Sequence, residues 1–175
     1  MAKKITSQKD LKELALFYCS KRETSRSKLG QYLARKCRDQ DLEDPLLVQQ
    51  WIETILEEFE HMKIIDDERF GGMIAREYER RGKGKRYVEQ KLMERGISKE
   101  KFTYSSESEA EEARALEVGA KFWERLLKTK IKIPKSQARN KNAEQYLREQ
   151  KLMQKLVTAG YSFDLIKRIL PRLTK

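Results

Sequence analysis

The stretch Ile64-Ile65-Asp66-Asp67-Glu68-Arg69-Phe70 opens a run that continues through Gly82-Lys83-Gly84-Lys85-Arg86 to Gly96, and its reading decides the fold. Phe70, Ile74 and Tyr78 fall at i, i+4 and i+8, the spacing of one helix face. Arg69, Arg76 and Arg80 fall on the opposite face, with Met73 among them. One helix therefore has an apolar side to pack and a cationic side to present. Asp66 and Asp67 stand where carboxylates cap free N–H groups and meet the positive end of the helix dipole. After the basic turn a second helix carries Val88 and Leu92 and stops at Gly96, the residue type that tolerates the left-handed conformation after a helix.

The same period extends in both directions. Upstream, a first helix from about Gln8 to Lys21 aligns Leu11, Leu14, Ala15 and Tyr18. Ser25 caps a second helix with Leu29, Leu33 and Cys37. Pro45 suits the first turn of a third, which runs to about Met62 with Val48, Trp51, Ile52, Ile55, Leu56, Phe59 and Met62 in its apolar stripe. Downstream, Ser98 caps a short helix through Phe102, and a long helix spans about Glu109 to Lys128 with Ala113, Leu116, Ala120, Trp123 and Leu127 in register. The basic connector 129–141 holds Pro134, which prevents one continuous helix. A helix over about 142–159 follows. The last helix starts at Ser162 and buries Phe163, Leu165, Ile166, Ile169 and Leu170, with Pro171 placed to end it early. No alternating run is longer than Ile131-Lys132-Ile133, so the expected class is all-α.

An internal repeat organises these helices. Gly96-Ile97-Ser98 and Gly160-Tyr161-Ser162 match in register, with Val88 and Leu92 before the first glycine and Leu152 and Leu156 before the second. Leu29 and Leu33 stand in the same relation to Cys37. Three units of three helices are expected, at 1–65, 66–106 and 107–175, each burying its faces against its neighbours in an elongated monomer.

The chain has 39 Lys and Arg against 28 Asp and Glu, a net charge of +11, and the charge is segregated. Residues 43–68 carry −8, 76–95 carry +4 and 121–141 carry +7. Such stripes neutralise phosphates or dock on an acidic partner. Cys19 and Cys37 lack metal or redox spacing and read as buried reduced thiols. His61 is the only histidine. Gly82-Lys83-Gly84-Lys85-Arg86 lacks the spacing and the preceding strand of a phosphate loop and reads as a flexible basic turn. No catalytic constellation or cofactor motif stands out. No signal peptide or membrane span is visible, which places the protein in the cytoplasm.

Four stretches, in order, resemble the RecX family of regulators of the RecA recombinase. They are Arg22-Glu23-Thr24-Ser25 with Leu29; the 64–70 stretch, the most specific; Gly84 with Val88, Leu92, Gly96 and Ile97; and the Gly160-Tyr161-Ser162 junction. Gly71 departs from the alanine expected there, Ala159-Gly160-Tyr161 departs from arginine-glycine-phenylalanine, and the connector is long and basic. The resemblance implies three tandem three-helix repeats in a curved, elongated molecule. It also implies binding along the RecA–DNA filament and modulation, usually inhibition, of recombinase, ATPase and coprotease activity in DNA repair. A stand-alone helical DNA-binding module is the competing reading, and an enzyme has no positive feature in its favour. The expected filament and DNA contacts, without sequence preference, are Arg69, Arg76, Arg80, Arg81, Lys83, Lys85, Arg86, Lys121, Arg125, Lys128, Arg148, Lys151 and Lys155. Base-stacking aromatics are not expected, because Phe70, Tyr78 and Trp123 sit on packing faces.

Overall fold

A computed structural model of the chain describes residues 5–40, 44–132 and 142–174. Among these the regular elements are eight helices: α1 (Gln8–Lys21), α2 (Arg26–Arg38), α3 (Pro45–His61), α4 (Asp67–Arg80), α5 (Lys85–Glu94), α6 (Ser108–Leu127), α7 (Ala143–Thr158) and α8 (Phe163–Leu173). The class is all-α, as the periodicity predicts. Most of the connector, 133–141 with Pro134, lies outside the described residues.

The helices fall in two compact units. The first comprises residues up to Ile74 together with Leu92–Thr103; the second comprises Ala75–Lys91 and Tyr104 onward, so α4 and α5 each contribute to both. In the first unit Leu11, Ala15, Leu29, Leu33, Ile55 and Phe59 are fully enclosed. In the second, Leu152, Leu156, Tyr161, Ile166 and Ile169 form the centre, with Ala115. Each of the buried leucine, isoleucine and phenylalanine side chains contributes about 1.5–3 kcal/mol through burial.

The caps follow the residue types. Ser7 Oγ accepts from Asp10 N–H, Ser25 Oγ from Lys28 N–H, Asp44 from Leu46 and Leu47 N–H, and Ser162 Oγ from Leu165 N–H. The two junctions recognised in the sequence close identically. Gly96 N–H donates to Met93 O and Ile97 N–H to Leu92 O; Gly160 N–H donates to Val157 O and Tyr161 N–H to Leu156 O. This is the paired bonding that ends a helix through a left-handed residue. Gly96 has φ 75° and Gly160 has φ 92°. At Gly160 a Cβ would also collide with the Tyr87 backbone nitrogen.

Each junction receives the start of another helix in its own unit. In the first, Ser25 Oγ donates to Arg95 O at 2.6 Å, and a Cβ on Gly96 would meet Ser27. In the second, Gly84 N–H donates to Ala159 O at 2.8 Å and Arg86 N–H to Gly160 O at 3.1 Å. Ser25 precedes Leu29 and Leu33 as Gly84 precedes Val88 and Leu92, so the same register reaches the carbonyl before each glycine, through a side-chain hydroxyl in the first unit and a backbone N–H in the second.

Several details differ from the sequence reading. The backbone of the 82–86 turn is tied to a neighbour: Gly84 is buried and bonded to the Ala159–Gly160 junction. Residues 98–102 form a single hydrogen-bonded turn rather than a helix. In α6 the buried positions are Ala115, Gly119 and Leu126, not Ala113, Ala120 and Leu127, and Leu127 is 55% exposed. Small side chains explain the offset, because Leu173 of α8 fits directly over Gly119. Met62 caps α3 from the surface, and Phe163 is half-exposed at the first position of α8. Pro171 lies inside α8, which continues to Leu173. Both cysteines are free thiols; Cys37 is buried, whereas Cys19 is only partly so.

Candidate nucleic-acid interface

The second unit holds a groove of about 340 Å³ where the end of α4 and the turn after it meet α6 and α7. Its cations are Arg80, Arg81, Arg114, Lys121, Arg125 and Lys155, against two carboxylates, Glu79 and Glu117. Helical spacing makes this clustering: Glu117, Lys121 and Arg125 stand one turn apart on α6, so they share a face. Phe122 and Val118 supply apolar lining.

Both carboxylates already have partners. Glu79 Oε1 accepts from Tyr104 Oη–H at 2.6 Å and lies 3.3 Å from Arg114 Nη2. Glu117 pairs with Lys121 at 2.6 Å, and that hydrogen bond holds its carboxyl below the usual value. Arg81 pairs with Glu77 one turn back. Among the described residues Arg80, Arg125 and Lys155 have no carboxylate partner, so the groove keeps a positive potential.

Arg114 is the innermost of these cations. Its contact with Glu79 is within ion-pair range but lacks hydrogen-bond alignment, and its Nε and Nη2 are buried without an acceptor. Lys83 adjoins the groove. Burial, followed by the neighbouring ammonium groups of Lys155 and Lys91, holds the Lys83 ammonium below the usual lysine value. Its Nζ lies 4.3 Å from the Tyr87 ring centroid, and Lys155 Nζ lies 5.8 Å from that of Phe122.

The residues expected to form the interface thus divide. Arg80, Arg81, Lys121, Arg125 and Lys155 line one groove, with Lys83 beside it. Arg76, Lys85, Arg86, Lys128 and Lys151 are exposed but do not line it. Arg69 lies in the first unit and pairs with Glu23 at 2.9 Å. Arg148 is turned into structure: its Nε donates to Leu126 O and its Nη2 pairs with Glu144. Two groove residues escape the sequence reading, Arg114 and Phe122. Arg114 stands among Glu109, Glu111 and Glu112 and carries no local signal; Phe122 is adjacent to Trp123, which the helical period favours for the packing face.

Elsewhere the first unit has a larger groove of about 870 Å³ between α2 and α3, floored by Gly30, Ala34, Val48, Ile52 and Leu56. Among the described residues there is no cluster of metal-ligating side chains, and no helix is long and apolar enough to cross a membrane.

Residues 66–101 match the family model of the second three-helix domain of RecX. The chain is therefore similar to RecX over this segment. Solved RecX structures share its fold. The crystal structure of RecX from Lactobacillus salivarius is similar over 95% of this chain and 96% of that one, with a TM-score of 0.69 at 18% identity. The crystal structure of a regulatory protein RecX is similar over 93% of this chain and 72% of that one, with a TM-score of 0.68 at 20% identity. No curated protein sequence matches the chain. The RecX match begins at the two aspartates of the 64–70 stretch, so it covers the segment on which the sequence reading rested most.

Proposed function

We propose that this protein belongs to the RecX family and is a non-enzymatic regulator of the RecA recombinase that binds the RecA–DNA filament and lowers its recombinase, ATPase and coprotease activity. Such a role places it in the cytoplasm, in DNA repair and recombination. The observation that carries the reading is the RecX domain match over 66–101. The cationic groove of the second unit supports it, because carboxylate-free Arg80, Arg125 and Lys155 suit a polyanion. The same register of junction contacts in both units supports a three-repeat division at 1–65, 66–106 and 107–175.

The test is RecA's DNA-dependent ATPase rate measured across a titration of this protein. A dose-dependent fall is expected. The groove also favours a second reading, a stand-alone, sequence-nonspecific DNA-binding protein. DNA binding with no change in the ATPase rate at saturation would select that reading.

A further inference from the structure

We infer that the groove of the second unit is a single-stranded nucleotide site, in which Arg114, Arg125 and Lys155 hold a backbone phosphate and the Phe122 ring takes the adjoining base. The inference deepens the reading above and rests on it for the identity of the polymer as DNA. Three observations meet at the groove. The first is unneutralised charge: Glu79 is engaged by Tyr104 and Arg114 and Glu117 by Lys121, whereas Arg80, Arg125 and Lys155 have no carboxylate partner among the described residues.

The second is Arg114. Buried donors without acceptors are costly; at the wall of this cationic recess Arg114 Nε has no acceptor, and Arg114 Nη2 meets only the poorly aligned Glu79 carboxylate 3.3 Å away. A phosphate oxygen supplies the missing acceptor and matches the planar fork of a guanidinium.

The third is Phe122, a half-buried ring lining the same groove beneath Lys155. A positively charged groove with an aromatic platform is the arrangement that binds single strands, because every base offers a π-face. A duplex keeps its bases stacked inside and presents only phosphates to such a recess. A strand with unstacked bases presents a phosphate and a base together. The site therefore discriminates strand state without reading sequence.

The experiment uses the full chain without RecA. Anisotropy is measured with a labelled oligothymidylate of about ten nucleotides and with the same strand annealed to its complement. Wild type should bind the single strand more tightly. Phe122→Leu should weaken the single strand on the order of tenfold and leave the duplex unchanged; equal binding by Phe122→Leu and wild type overturns the site. Because Phe122 also touches the core, Lys155→Glu provides a second reading. It should cost single-strand affinity more than Lys128→Glu, an exposed cation outside the groove, and equal losses overturn the site. The RecA ATPase titration keeps the two ideas apart. If Phe122→Leu binds single strands normally while wild type still lowers the ATPase rate, the site falls and the regulatory reading stands. If the strand discrimination depends on Phe122 but the ATPase rate never changes, the site stands and the regulatory reading falls.

Discussion

Asp67 Oδ1 accepts a hydrogen bond from the backbone N–H of Arg26 at 2.9 Å, so the first residue of α4 caps α2 rather than its own helix. The own-helix cap is Asp66, whose Oδ1 accepts from Arg69 N–H at 3.0 Å. The second unit repeats the relationship: Glu111 of α6 accepts from Lys85 N–H, the first residue of α5, at 2.8 Å. Arg26 and Lys85 each follow the residue that docks on a glycine junction or its preceding carbonyl. A carboxylate from the first turn of a later helix thus satisfies an otherwise free N–H at a helix start.

These roles separate the two aspartates experimentally. Asp66→Ala should cost about 0.5–2 kcal/mol, the value of a helix cap. Asp67→Ala should cost at least as much, because Arg26 N–H loses its acceptor. Asp67→Asn should be nearly neutral: it keeps the acceptor oxygen and removes a buried charge whose pKa burial has raised. The pH responses are opposite in sign. The lowered pKa of Asp66, set first by the Arg69 N–H, adds stability above the ordinary aspartate range that is lost as pH falls through its folded value. Urea denaturation of the three variants measures this, and Asp67→Asn as damaging as Asp67→Ala would contradict the cap.

Gly71 offers a sharper test of packing. A Cβ there would lie 2.6 Å from Phe102 Cγ and 3.1 Å from its Cβ, near the root of the side chain where little can give. Gly71→Ala should therefore destabilise, although alanine is favoured over glycine in a helix by about 1 kcal/mol. In a Phe102→Ala background the same substitution should become stabilising. A double-mutant cycle by chemical denaturation reads the coupling, and additive effects would show that Phe102 does not fill the space the missing methyl leaves.

Alkaline stability depends on Tyr161. Its ring is buried, its hydroxyl donates to Gly82 O at 2.9 Å, and burial pushes its pKa up from the ordinary 10 to about 12. A raised folded value means that its contribution is fully present below pH 10 and is lost as pH rises from 10 through about 12. Tyr104, buried and bonded to Glu79, is shifted in the same direction. Denaturant midpoints between pH 9 and 12 should fall less steeply for Tyr161→Phe than for wild type. Parallel curves would show that this hydroxyl stays neutral for no energetic reason.

Much of the fold was legible because it rests on local patterns. The caps at Ser25 and Ser162 and the terminating glycines 96 and 160 are set by residue type and backbone conformation. The stripe of α6 was not, because Ala113, Ala115, Gly119 and Ala120 are all small and periodicity cannot say which faces the core; the fit of Leu173 over Gly119 decides it. The same one-position ambiguity brings Phe122 into the groove. Which basic residues stay available was legible only in part. Arg148 and Lys155 stand two turns apart on α7, yet Arg148 is spent on Leu126 O and Glu144 while Lys155 lines the groove. That division depends on neighbours far away in the chain.

It also yields the prediction that bears most directly on the interface. Binding that neutralises phosphates weakens with salt, with a log–log slope of about −0.7 per phosphate on single strands and about −0.9 on duplex. Arg80 and Arg125 lie in the groove without carboxylate partners, so reversing both to Glu should flatten the single-strand slope by about 1.4 and leave the melting temperature nearly unchanged. Arg148→Ala should do the opposite. Its guanidinium serves a helix carbonyl and a neighbouring glutamate, so stability should fall while the slope stays close to wild type. Arg76 is exposed on α4 but outside the groove, and Arg76→Glu should change the slope less than Arg80→Glu. Anisotropy across a salt series, paired with thermal melts, measures all four variants. An unchanged slope in the Arg80/Arg125 reversal would return the groove to ordinary solvated surface. A larger effect at Arg76 would move the contact onto the open face of α4, where the arginine spacing of the 64–96 stretch first suggested it.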